Sequence, residues 1–192
     1  MNARSPIVTA TILAAIMPYV KRRAHLYAPL IDEACRRRDI TTPMRLAGFL
    51  ATIAHESGEL RYTAEIASGE AYEGRSDLGN TLPGDGRRFK GRGFIQLTGR
   101  DNYRLASIAM TGDDQTFILA PETLEEPWHA VEVSAWWWAS HGLNEVMDQG
   151  DFRGACGLVN CGSRSVPSGR IRGFADRLSY YSRARKALGI TP

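Results

Sequence analysis

Apolar residues recur at steps of three and four along most of this chain, and one long stretch loses the rhythm. The segment Ile7-Val-Thr-Ala-Thr-Ile-Leu-Ala-Ala-Ile-Met17 predicts a short buried helix capped by Thr9. It follows Arg4 and superficially resembles a signal sequence. It is too short to span a bilayer, and Pro18 and two threonines interrupt it, so stable membrane insertion is not expected. Tyr19 to Arg38 places Leu26, Leu30, Ile31 and Ala34 at helical steps, with Pro29 predicting a kink or a split. The basic run Arg36-Arg37-Arg38 suits the end of that helix.

Thr41-Thr42-Pro43 then supplies an N-cap threonine and a proline at the first helical position. The helix it opens carries Leu46, Phe49 and Ile53, reaches Glu56 at the next step of three, and is stopped by Gly58. Residues 58–100 differ: they hold nine of the 19 glycines, at positions 58, 69, 74, 79, 84, 86, 91, 93 and 99. Such a connection reads as a functional loop system. Within it, Arg88 to Thr98 predicts an irregular strand. Helices resume with Asp101 as N-cap, and another runs from about Glu125 to Ser140 through Trp136-Trp137-Trp138, of which at least one tryptophan packs in the core. The last, Ile171 to Leu188, shows Phe174, Leu178, Tyr181 and Ala184 on one side and Arg177, Arg183, Arg185 and Lys186 on the other. No internal repeat or second domain boundary is visible. The expectation is a mainly α single domain over 1–192, helical in 1–57 and 101–192, with a glycine-rich cleft lobe at 58–100.

Composition changes this picture little. A chain of 192 residues, 43% hydrophobic and 23% charged, can bury a sizeable core. A net charge of +3 permits attraction to an anionic polymer or cell envelope without demanding it. Cys35, Cys156 and Cys161 are odd in number and match no metal spacing, which suits synthesis in a reducing compartment.

The chemistry centres on Glu56. A carboxylate continuing an apolar stripe is costly to ionise, so its pKa is expected to rise, as a general acid requires. His55-Glu56 invites a zinc-protease reading, but Glu59 stands where the second histidine belongs. No nucleophile elbow for a serine hydrolase occurs. Paired carboxylates remain, and they point to glycoside hydrolysis without metal or cofactor. In a continuous helix, nine steps of about 100° would put Glu65 opposite Glu56. A reversal after Gly58 would bring it back across a cleft. Glu59, Glu65, Glu70 and Glu73 all remain open as the base, which in an inverting enzyme stands roughly 6.5–9.5 Å from the acid. Tyr62, Tyr72 and Tyr103 are candidates for stacking on sugar or for the core.

His55-Glu56-Ser57, then Gly91-Arg-Gly-Phe-Ile-Gln-Leu-Thr98 with Asn102-Tyr103, then Asn160-Cys-Gly162 and Ala175-Asp-Arg177, resemble the family 19 glycoside hydrolases, the plant-type chitinases and related phage endolysins. Residues 65–75 and Leu78-Gly-Asn80 are similar to the endolysin branch. The resemblance implies a lysozyme-like helical fold, with a small β lobe beside the cleft, and an inverting mechanism. It implies Glu56 as acid, Glu65 as base and Thr98 as the hydroxyl holding the water, with His55, Tyr62, Gln96, Asn102, Tyr103, Asn160 and Arg177 binding the sugar chain. Family chitinases carry a longer insert between their acids, which leaves Glu73 as second candidate for the base. Cys161 stands where the family has glycine.

Peptidoglycan is the expected substrate, on the endolysin-like loop, the lack of a secretion signal or chitin-binding module, and the basic surface. The alternatives are chitin hydrolysis, lytic transglycosylation and non-catalytic glycan binding. The endolysin resemblance implies synthesis in a host cytoplasm, action on the periplasmic wall and a holin for export. A monomer with no nucleic-acid partner is expected.

Overall fold

The computed structural model describes residues 5–190; residues 1–4 and 191–192 of the expected domain span lie outside the described residues. Among the described residues there are ten α-helices: α1 (Ala10–Ile16), α2 (Arg23–Arg37), α3 (Pro43–Glu56), α4 (Asp85–Arg88), α5 (Arg100–Thr111), α6 (Thr116–Leu119), α7 (Pro127–Ser140), α8 (Leu143–Asp148), α9 (Phe152–Cys161) and α10 (Phe174–Ala187). Four short 3-10 turns join them, and among the described residues there is no β-sheet.

Both expected N-cap threonines act as such. Thr9 accepts from Ile12 N at 3.2 Å, and Thr42 accepts from Arg45 N at 3.3 Å, with Pro43 opening α3. No helix among the described residues is long and apolar enough to cross a membrane.

α3 is the centre of the molecule. Leu46, Phe49 and Ile53 are buried as their spacing demands, and so are Ala47, Gly48, Leu50, Ala51, Thr52 and Ala54. A helix apolar on every side belongs inside a bundle. α10 packs along it, and α1, α7, α8 and α9 complete the surround. Each fully buried Leu, Ile or Phe contributes about 1.5–3 kcal/mol. A second, smaller core of Phe89, Leu97, Tyr103, Ala106, Phe117, Leu124 and Val133 lies under the glycine-rich lobe. Trp137 packs against both cores, so α7 joins them.

Several expectations need correction. α2 runs unbroken through Pro29, because the buried face of Ala24, Tyr27, Ala28, Ile31, Ala34 and Cys35 offsets the lost backbone hydrogen bond. Leu26 is exposed, so the packed stripe is set by that alanine-rich face. Asp101 is inside α5; Gly99 is the N-cap, at φ 96°. Residues 88–98 form no strand: Arg92 makes one isolated bridge with Ala64 and another with Leu97. On α10, Leu178 is 42% exposed, whereas Arg177 is buried with Ala184, seven residues on and on the same face. The expected polar side of that helix thus contains one inward-facing arginine. All three cysteines are free thiols, with Cys161 exposed and the other two buried. Burial pushes the Cys156 thiol up to about 12.

Candidate active site

α3 ends where its apolar stripe meets Glu56. Ser57 caps it, and Gly58 (φ 57°), Glu59 (φ 62°) and Leu60 (φ 61°) follow in left-handed backbone that reverses the chain. Tyr62 N–H closes the reversal onto Ser57 O at 2.9 Å. The next residues run back beside the Gly91-Arg-Gly93 segment: Gly93 N–H donates to Thr63 O at 2.8 Å, and Glu65 N–H to Gly91 O at 2.9 Å. This returns Glu65 to the cleft that holds Glu56. The cleft has a volume of about 320 Å³ and is lined by Glu56, Tyr62, Ala64, Glu65, Ile66, Ala67 and Gln96.

The two glycines leave room that side chains would fill. A Cβ on Gly91 would sit 2.8 Å from the Gln96 side-chain oxygen and 3.4 Å from a Glu65 carboxylate oxygen. One on Gly93, which has φ 72°, would fall 2.5 Å from Val133. Gln96 itself is left-handed at φ 59°, and its amide donates to Gly93 O at 3.1 Å. A strained non-glycine residue on a cleft wall persists only where its surroundings dictate it.

The surroundings of Glu56 are not those its stripe suggests. Because the helix ends there, its side chain leaves the core and meets Arg177, whose Nη2 donates to Oε1 at 2.5 Å. Arg177 is 1% exposed. Its Nε donates to Arg172 O at 3.1 Å, and Arg172 N–H donates to Asn160 Oδ1 at 2.9 Å. A chain of polar contacts therefore runs from Asn160 on α9 through residue 172 to the arginine that orients Glu56. The Nη1 of Arg177 is buried without a hydrogen-bond partner.

Glu65 is held differently. Tyr72 Oη donates to its Oε2 at 3.0 Å, while Oε1 is buried and unpartnered. Burial pushes the Tyr72 phenol up, and its bond to the Glu65 carboxylate adds to this. Lys90 Nζ donates to Glu65 O at 2.9 Å and fixes the backbone. A buried acceptor left without a partner on a cleft wall marks a place that a ligand or water fills.

The other candidate acids lie elsewhere. Glu73 accepts from Gly84 N and Gly86 N at 2.6 and 2.8 Å, so both its oxygens close the lobe's own turn. Glu70 is fully exposed and pairs with Arg87, which holds its carboxyl below the usual range. Glu59 is buried in a separate cavity.

Among the remaining candidates, Tyr62 and Gln96 line the cleft. His55 Nδ1 bonds Asp176 at 2.6 Å, and its ring lies against Gly173 at the start of α10. Thr98 Oγ1 donates to Gln96 O at 2.9 Å, and Asn102 Nδ2 donates to Thr98 O at 2.7 Å, so both brace the Gln96 turn. Tyr103 does not reach the cleft. It is fully buried, with its hydroxyl donating to Lys90 O and accepting from Arg92 Nη1, because α5 points it into the smaller core. The sequence reading missed Tyr72 as the partner of Glu65, since seven residues through irregular chain carry no periodic signal. It also missed Ile66, 81% exposed on the cleft wall.

No protein-family model matches the chain. It is 30% identical over 151 residues to an endochitinase of Arabidopsis thaliana, covering 77% of this chain and 49% of that one. It is 32% identical over 83 residues to a glycosyl hydrolase family 19 domain-containing protein of Haemophilus influenzae, covering 43% of this chain and 39% of that one. The chain thus spans about half or less of the curated relatives it matches. In structure it is similar to chitinase C from Streptomyces griseus, with a TM-score of 0.78 at 20% identity, covering 100% of this chain and 98% of that one. A bacterial family 19 chitinase is similar at a TM-score of 0.74 and 22% identity, with 97% of each chain covered. The mainly helical, lysozyme-like architecture is the one these structures share.

Proposed function

Because this chain belongs to the family 19 glycoside hydrolases, a chitinase-like family, we propose that it hydrolyses the β-1,4 glycosidic bonds of peptidoglycan by an inverting acid/base mechanism. The observation that carries the chemistry is the pair of carboxylates on one cleft, each restrained at one oxygen. Arg177 restrains Glu56, and Tyr72 restrains Glu65.

In this reading Glu56, in its protonated form, donates to the leaving glycosidic oxygen. Glu65 Oε1, which has no partner of its own, takes a proton from the attacking water on the other face of the sugar. The Thr98 hydroxyl spends its proton on Gln96 O and keeps its lone pairs for that water's hydrogen. Tyr62, Gln96 and exposed Ile66 present the sugar-facing surface. His55, Asn102 and Asn160 act from behind, by fixing α10, the Gln96 turn and the Arg172 backbone. The endolysin reading carries with it synthesis in a host cytoplasm, action on the periplasmic wall and a holin that opens the route.

The short reversal between the acids and the mildly basic chain support a murein substrate. Chitin is the second reading, favoured by the name endochitinase on the Arabidopsis relative. Mass spectrometry of digested peptidoglycan and chitin separates them. Hydrated N-acetylmuramic acid reducing ends are expected; release of N-acetylglucosamine oligomers from chitin alone overturns the murein assignment.

A further inference from the structure

A larger cavity, about 610 Å³, opens on the other side of Tyr62 and has no part in the proposed chemistry. Its walls include Tyr19, Lys21, Arg23, Glu59, Arg61 and Tyr62, and Tyr62 is the residue it shares with the cleft. Three cations thus face one carboxylate. That carboxylate is already engaged, because buried Glu59 accepts from Tyr180 Oη at 2.9 Å and from the Tyr19 amide.

The cations are not engaged in this way. Among the described residues, Lys21, Arg23 and Arg61 have no carboxylate partner. Several arginines elsewhere are neutralised: Arg37 and Arg38 share Glu132, Arg45 meets Asp148, and Arg100 meets Asp85. Arg23 is aimed by the carbonyls of Tyr19 and Glu59, at 2.8 and 3.4 Å, and not by a carboxylate. The Arg61 guanidinium lies 5.0 Å from the centre of the Tyr62 ring.

The backbone of these walls is strained. Lys21 (φ 49°), Glu59 and Leu60 are left-handed without being glycine, at about 1–2 kcal/mol each. The bonds to Glu59 and the bond from the N–H of adjacent Leu60 to Ser57 Oγ at 2.8 Å hold those two residues there. Strain of this kind concentrates at functional sites.

We infer that this cavity is an anion subsite continuous with the glycan cleft, and that it receives a carboxylate of the peptide branch carried by peptidoglycan. The inference rests on the glycoside hydrolase reading. A lactyl carboxylate sits on the sugar ring itself and would remain in the cleft, whereas a peptide branch reaches past Tyr62. A plain N-acetylglucosamine polymer offers no carboxylate at all.

The test is co-sedimentation of a Glu56→Gln chain with peptidoglycan sacculi, intact or stripped of peptides by an amidase, and with chitin. The same chain carrying Lys21→Gln and Arg61→Gln, both at exposed positions, is compared with it after its melting temperature is matched. The affinity ratio of intact to stripped sacculi should exceed one, fall as salt screens the pair, and drop about fivefold to tenfold in the substituted chain. A ratio near one in the parent, or the same ratio in both chains, overturns the inference. Hydrolysis by the unsubstituted protein is read in parallel. If it cuts no polymer, the hydrolase reading falls while the ratio still reports on the cavity.

Discussion

The two carboxylates of the cleft sit on opposite kinds of structure. Glu56 ends a helix buried on every side and is steadied by Arg177 from α10, itself packed along α3. Glu65 sits in the lobe of residues 58–100, which among the described residues has no strand and adds a network of polar contacts to the small core beneath it. Asn80 bonds Tyr72 O and Arg100 N, Arg100 grips Asp85, Glu73 closes the Gly84–Gly86 turn and Lys90 holds Glu65 O. Glu56 is set where a buried helix ends against a buried arginine. Glu65 is set where Tyr72 and Lys90 tie it within irregular chain. Packing fixes the first position, and directional hydrogen bonds fix the second.

The largest expected effect breaks the chemistry of the helix side. Glu56→Gln should reduce turnover by about 10³–10⁴-fold on the preferred polymer with little change in melting temperature; activity above a tenth of the parent value would remove Glu56 from the acid role. Glu65→Gln should cost about 10²–10³-fold. If that variant instead cuts freely and leaves anhydromuramic ends by mass spectrometry, the protein is a lytic transglycosylase and the two-carboxylate comparison collapses. Arg177→Met addresses stability as well as turnover. It strips a buried partner from Glu56 and should destabilise the fold by about 2–4 kcal/mol in urea unfolding.

Smaller effects sharpen the contrast. Tyr72→Phe removes one hydroxyl from Glu65 and should lower kcat about tenfold, leaving KM and stability within about 1 kcal/mol of the parent. In the lobe, burial pushes the Asp85 carboxyl up, but Arg100 and the Leu82 amide outweigh it and hold the group below the ordinary range. A depressed folded value stabilises above the unfolded value of about 3.9 and is lost as pH falls through the folded one. Hydrogen exchange from pH 5 down to pH 2 should therefore show residues 80–100 losing protection as Asp85 takes up its proton, and Asp85→Asn should flatten that dependence.

The Thr9 and Thr42 caps, the helix that ends at Glu56 and the glycine-rich interruption were legible because each rests on local chemistry, whereas Asp101 reads as a cap and is not one. A threonine caps wherever a helix begins, a proline at the first position is tolerated there, and apolar residues at steps of three and four seek one another. The Gly91-Arg-Gly93 segment was legible as a resemblance, and its physical reason emerged with the packing: a Cβ at either glycine collides with the cleft or with Val133. Arg177 marks the limit. Counting seven to Ala184 puts it on the inward face, yet an arginine reads as solvent-facing until its carboxylate partner is known.

By itself, then, the sequence determined that Thr9 and Thr42 open helices, that Leu46, Phe49 and Ile53 share a buried stripe, and that a carboxylate stands at its end. Only the tertiary structure decided that Glu65 and not Glu73 returns to that carboxylate's cleft, that Tyr103 belongs to the core, and that Arg177 meets Glu56 across 121 residues. The physical reason is range. Periodicity and capping act within a few residues, whereas the choice among several similar acids depends on which loop closes against which segment.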